Sequence, residues 1–212
     1  MKQNKIYNYH EKPTRYNGIH YRSHLEAVYA NLFDRLKIPY QYEAALYWDD
    51  LSSRAKGDYS GWIVDFVIYG STCSVYVEIK HIERLYEESQ TITKMETATR
   101  KMGKADKNDL MILGYPKPKV GNEIHIGWLG IRQFDKDLSY KWQLAKVGYW
   151  RYNNQLNFGF GCEDYDRISG QSWDKRLYQK EAGYLLLAQW ENAKSDLRWK
   201  STINREWYRP VL

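Results

Sequence analysis

Asp65 lies inside the apolar run Trp62-Ile63-Val64-Asp65-Phe66-Val67-Ile68, and thirteen positions later Glu78 stands near the end of a second run, Val75-Tyr76-Val77-Glu78-Ile79-Lys80. Short runs rich in β-branched and aromatic residues fit strands buried within a sheet. Side chains alternate along a strand, so Glu78 and Lys80 share one face while Val75, Val77 and Ile79 point to the other. An acid buried in such a strand is costly unless it is paired or metal-bound, and here two neighbouring strands carry one each. A function for the pair is the simplest reason to keep them.

The flanking segments supply a layered α/β unit. Ser23 with Glu26 three residues on forms a capping box, and Leu25, Val28, Tyr29, Leu32, Phe33 and Leu36 continue at helical spacing until Pro39 stops the helix. Tyr40 to Tyr47 alternates as a strand, and a polar loop, Asp49 to Ser60, leads to the two charged strands. Glu87 to Lys104 reads as an amphipathic helix with Ile92, Met95 and Met102 on its apolar side. Leu110 to Gly114 and Ile124 to Trp128 follow as strands. The order α-β-β-β-α-β-β implies a mixed central sheet flanked by helices.

From about Ile131 the chain changes character, with six of its nine Trp residues at or after Trp142. Trp142 to Tyr149 and Gln155 to Phe160 predict a hairpin turning at Asn153-Asn154, and Lys175 to Lys194 a helix. The expected division is a core over residues 1–130 and an aromatic-rich elaboration over 131–212, packed on that core.

A formal net charge of +6 favours an anionic partner. The segment Met1 to His10 has no apolar core of a signal peptide, and no run reaches membrane-spanning length. Cys73 and Cys162 form neither a disulfide framework nor a structural zinc pattern, so a reducing, cytoplasmic setting is expected.

Two carboxylates, Asp65 and Glu78, and the backbone carbonyl of Ile79 are hard oxygen donors suited to magnesium, which retains open positions for water and phosphate. The Lys80 ammonium could orient an attacking water and offset charge that develops on a phosphoryl group. Lys94, Arg100, Lys101 and Lys104 decorate the second helix and its C-terminal end. They fit either phosphate contacts or the negative end of a helix dipole.

Glu26 on a first helix, Asp65 on a strand and Glu78-x-Lys80 on the next strand together resemble the PD-(D/E)XK nuclease superfamily. Tyr21-Arg22-Ser23-His24-Leu25-Glu26-Ala27 is similar to the Arg-Ser-x-Leu-Glu segment of phage and mobile-element members, including those related to the Tn7-type transposase endonuclease subunit. The resemblance spans roughly residues 16 to 114. It implies a restriction-endonuclease-like α-β-β-β-α-β core and hydrolysis of DNA phosphodiesters with Mg2+ or Mn2+. It also implies Asp65 and Glu78 as metal ligands, Lys80 as the catalytic lysine, and Glu26 as a further acid acting on the metal directly or through water. Val64 stands where the signature has proline, a residue that shapes the strand and does no chemistry. An endonuclease in phage or mobile-element DNA processing is the leading expectation, and a homodimer would suit cutting both strands. Two alternatives stand beside it: a resolvase of Holliday junctions or other branched DNA, and a non-catalytic DNA-binding subunit of a recombination or transposition complex.

Each residue also has a plainer reading. Glu78-x-Lys80 fits a solvent-facing edge-strand ion pair, Asp65 the capping of a loop or a pairing with a core Arg, and Glu26 the capping box alone. Glu43, on the strand before the loop, fits a reach into the site or, with more weight, a solvated strand face, and His81 falls on the face opposite Lys80. Trp190, Trp199 and Trp207, with Arg198, Lys200 and Arg205 nearby, fit base stacking or, with more weight, a core or dimer interface.

Overall fold

A computed structural model describes residues 12–47, 61–70, 73–81, 89–102, 108–118, 124–133, 139–152, 155–161 and 180–197. The described chain begins with a hairpin, β1 (Thr14–Tyr16) and β2 (Ile19–Tyr21). Asn17 and Gly18, at φ 46° and 82°, provide the two left-handed residues that its two-residue turn requires. Ser23 then caps α1 (His24–Leu36): the Glu26 N–H donates to Ser23 Oγ at 3.1 Å. The helix ends at Lys37, whose left-handed backbone lets its N–H donate to the Asp34 and Phe33 carbonyls.

Seven strands form one sheet in sequence order: β3 (Tyr40–Tyr47), β4 (Gly61–Tyr69), β5 (Ser74–Ile79), β6 (Asp109–Pro118), β7 (Ile124–Arg132), β8 (Tyr140–Tyr152) and β9 (Gln155–Gly161). All neighbours are antiparallel except β5 and β6, the pair bridged by α2 (Ser89–Met102). A parallel pair needs such a crossover, and here it makes the sheet mixed. The architecture is therefore α/β with a mixed sheet, as the element order implies.

The core has two parts. Leu25, Tyr29 and Phe33 of α1 pack with Phe66, Ile68, Val75, Val77 and Met111, joined by Leu186, Trp190 and Ala193 of α3 (Lys180–Asp196). Trp62, Val64, Tyr76, Leu110 and Ile112 pack with Met95 and Ala98 of α2. Between the sheet and α3, α1 is buried almost all round, which explains an apolar set wider than one stripe.

Boundary 130/131 falls inside β7, and β8 and β9 continue the same sheet beyond it. The expected hairpin is present as β8 and β9, paired up to Tyr152↔Gln155, while Asn153-Asn154 lies outside the described residues. Lys175, the expected start of the last helix, also lies outside them. No described helix is long and apolar enough to cross a membrane.

Candidate active site

The site arises where two strand ladders break. Strands β3 and β4 pair from Tyr40↔Ile68 to Tyr42↔Phe66 and again from Ala44↔Val64 to Tyr47↔Gly61, skipping Glu43 and Asp65. At that step Glu43 has φ 48°. Tyr42 and Phe66 pack on the α1 side of the core, whereas Ala44 and Val64 pack on the α2 side. Both strands thus change face at one point. The β4–β5 ladder runs from Tyr69↔Ser74 to Phe66↔Val77 and stops, while β5 stays with β6 through Glu78↔Ile112 and Ile79↔Leu113. Two carboxylates directly opposite in a ladder would repel. The parting of β4 from β5 beside Asp65 and Glu78 opens a cleft of about 290 Å3.

Glu26, Asp65, Glu78, Ile79 and Lys80, from α1 and the two parting strands, all line this cleft, together with Arg22, Ser23 and Lys94. Glu78 is buried, and its Oε1 accepts from the Trp62 indole N–H at 2.8 Å and lies 3.5 Å from Lys94 Nζ. Its Oε2 is 3.2 Å from Lys80 Nζ. Asp65, also buried, accepts the Ile79 N–H on Oδ2 at 2.8 Å and the Arg22 guanidinium on Oδ1. Burial and the Glu78 charge push its carboxyl up to about 6, and the Ile79 N–H and Lys80 pull the other way without cancelling this. Glu26 is gripped by three donors: the Arg22 backbone N–H at 3.1 Å, Ser23 Oγ at 3.0 Å and the Tyr42 hydroxyl at 2.6 Å. Burial and that bond to Glu26 hold the Tyr42 phenol above its ordinary range.

The donor chemistry fits a divalent cation. Among the described residues no three His, Cys, Asp or Glu side chains form a metal cluster by themselves. What the cleft offers is two buried carboxylates on parting strands, with Ile79 and Glu26 in the same lining. Magnesium characteristically takes few protein ligands and keeps several waters. A cation there would offset the burial and the Glu78 charge that together raise Asp65.

The structure separates the rival readings of the pair residues. β5 is an interior strand and Glu78 is 3% exposed, so Glu78 and Lys80 are not an edge-strand surface pair. Asp65 does meet an arginine, but Arg22 has a 55% exposed side chain and is no core residue. Lys94 enters the cleft and also lies 5.8 Å over the Trp62 ring. Arg100 and Lys101 are exposed on the last turn of α2 and do not line the cleft, and Lys104 lies outside the described residues. Trp190 is buried against Tyr29 and Tyr115, a core role, whereas Trp199, Trp207, Arg198, Lys200 and Arg205 lie outside the described residues.

Of the two readings of Glu43, the reach toward the site holds. The left-handed backbone of Glu43 takes it out of the ladder, and its carboxylate meets Arg22 Nε at 2.9 Å, so it belongs to the rim of the site and not to a plain solvated strand face. Arg22, Tyr42 and Trp62 were missed as partners of the acids. Arg22 at least stands in the Arg-Ser-x-Leu-Glu string, while nothing local marks the other two.

No family model matches this sequence, and searches among curated proteins and among solved structures found no match either.

Proposed function

We propose that this protein is a magnesium- or manganese-dependent DNA nuclease of the PD-(D/E)XK type, an endonuclease of phage or mobile-element DNA processing with a restriction-endonuclease-like core. One observation carries the reading: the parting of β4 and β5 brings Asp65, Glu78 and Lys80 into one cleft with Glu26 of α1. The succession α1-β3-β4-β5-α2-β6 supports it, because it is the order that the motif resemblance implies.

Asp65, Glu78 and the Ile79 carbonyl would hold the cation. When bound, it supplies positive charge to the phosphoryl oxygens and lowers the pKa of water. Trp62 and Lys94 fix Glu78 in orientation, and the Ile79 N–H does the same for Asp65. Such preorganisation spares the acids any rearrangement at the moment of reaction. Lys80 is anchored at Glu78 Oε2 but remains 35% exposed, so its ammonium can turn to the attacking water and to the phosphate. Glu26, held by Tyr42 and Ser23, offers a fixed acceptor on the α1 side. Lys94, with Arg100 and Lys101 farther along α2, supplies cations for flanking phosphates, and the net charge of +6 favours that encounter.

The test is incubation of supercoiled plasmid with purified protein and magnesium. Nicking that chelation abolishes is the expected result. Intact plasmid with both magnesium and manganese contradicts the reading.

A further inference from the structure

Arg22 has no task in the mechanism above, yet its position in the cleft is specific. Each Asp65 oxygen carries one donor: Oδ2 accepts the Ile79 N–H, which is fixed in the backbone, whereas the partner of Oδ1 is a side chain that can swing away. That side chain is Arg22, which holds Oδ1 through Nη2. The same guanidinium rests its Nε on Glu43 Oε1 at 2.9 Å and stands 3.9 Å from Glu26 Oε2. Its backbone is tied down separately, the N–H meeting Glu26 Oε2 at 3.1 Å and the Tyr42 hydroxyl at 3.0 Å. A fixed backbone and a 55% exposed side chain leave the fork free to turn while its root stays in place.

Glu43 is shaped for this partnership. A left-handed φ of 48° is uncommon for a residue with a Cβ, and such conformations gather at functional sites. Here it removes Glu43 from its ladder position opposite Asp65 and presents its carboxylate to Arg22. The charge of the guanidinium is secure: burial works against it, but Asp65 and Glu26 outweigh burial and hold it above its ordinary value.

We infer that Arg22 is a built-in counter-ion of the metal-free site. It pairs with Asp65 in the absence of a divalent cation, yields Oδ1 to that cation, and keeps Nε on Glu43 while its fork turns to the phosphate of the nucleic acid. The inference rests on the metal-dependent reading above. A guanidinium suits both states, because its planar fork binds carboxylate and phosphate alike and it never loses its charge. Loss of Arg22 should therefore move metal binding and catalysis in opposite directions, which a merely structural residue would not do.

Calorimetric titration with manganese of the wild-type protein, Arg22→Gln and Arg22→Lys tests this. Arg22→Gln is expected to bind manganese about three- to fivefold more tightly, the range a partly exposed competing ion pair can contribute, and to cleave DNA more slowly. Arg22→Lys keeps the charge and should bind manganese like the wild type, while its lost fork slows cleavage. A second measurement needs no variant: the Arg22 Nε–Hε resonance should shift when magnesium is added to the unaltered protein. Manganese affinity in Arg22→Gln that is unchanged or weaker, or an Arg22 signal indifferent to magnesium, overturns the inference and leaves the metal-dependent reading standing. No metal binding by the wild type overturns both.

Discussion

Asp65 Oδ2 accepts the Ile79 backbone N–H at 2.8 Å just past the last β4–β5 pair, Phe66↔Val77. A side chain thereby replaces a ladder hydrogen bond at the point where two strands separate. A buried N–H left without a partner would be costly, so Asp65 stabilises the very parting that creates the cleft. The residue is a structural strut and, on the proposed metal-dependent reading, also a cation ligand.

That double role makes Asp65 sensitive to pH. Its carboxyl is pushed up from 3.8 to about 6, by burial first and Glu78 second. A carboxyl raised in the folded state keeps a proton that the unfolded chain has already lost, so its contribution to stability declines as pH rises between about 4 and 6 and is a constant penalty above that. Metal-free protein is expected to lose stability across this window, and Asp65→Asn should flatten the loss. On the metal-dependent reading proton and cation compete for the Asp65 carboxyl, so the rise in Tm given by magnesium should be full near pH 7.5 and shrink below pH 6. Thermal melts with and without magnesium at several pH values check both. Parallel wild-type and Asp65→Asn profiles would remove Asp65 as the titrating group.

Trp62→Phe removes the indole donor to Glu78 and keeps most of the apolar packing against Tyr76. A buried hydrogen bond to a charged group contributes about 1.5–3 kcal/mol to stability, so the melting temperature should fall by several degrees, and cleavage should slow because Glu78 is held less firmly. Unaltered single-turnover rates would show that Trp62 only packs.

The α1–α3 contact carries a separate stability prediction. Asn31, 2% exposed, donates to the Ala193 carbonyl at 3.2 Å and to Asp196 Oδ2 at 3.1 Å, and accepts from Arg35 Nε at 3.1 Å. Asn31→Ala leaves the Ala193 carbonyl short of a donor and should cost about 1–3 kcal/mol. Urea unfolding at equilibrium measures this, and Asp196→Asn should cost less because its side chain is 49% exposed.

Legibility in the sequence followed the regularity of each element. In β5 the period of two holds throughout, Val75, Val77 and Ile79 on one side and Tyr76 on the other, so the shared face of Glu78 and Lys80 could be read directly. The capping box and apolar spacing likewise announced α1 with Glu26 in its first turn. In β3 and β4 the period breaks at Glu43 and Asp65. Strict alternation puts Trp62 and Asp65, three apart, on opposite faces, yet both serve the cleft because the strands change face between them. Arg22 meets Glu43 and Asp65 at that break. The place of β8 and β9 in the main sheet was also hidden, because pairing such as Trp128↔Leu144 has no local signature.

The central claim, that Asp65, Glu78 and Lys80 form a metal-dependent cleavage site, is tested most directly by single-turnover cleavage of an end-labelled DNA duplex in manganese by wild-type protein and Lys80→Ala prepared side by side. The expected result is cleavage by the wild type that stops on chelation, and a loss of about a hundredfold or more in Lys80→Ala with its melting temperature retained. Equal cleavage by the two proteins would contradict the account.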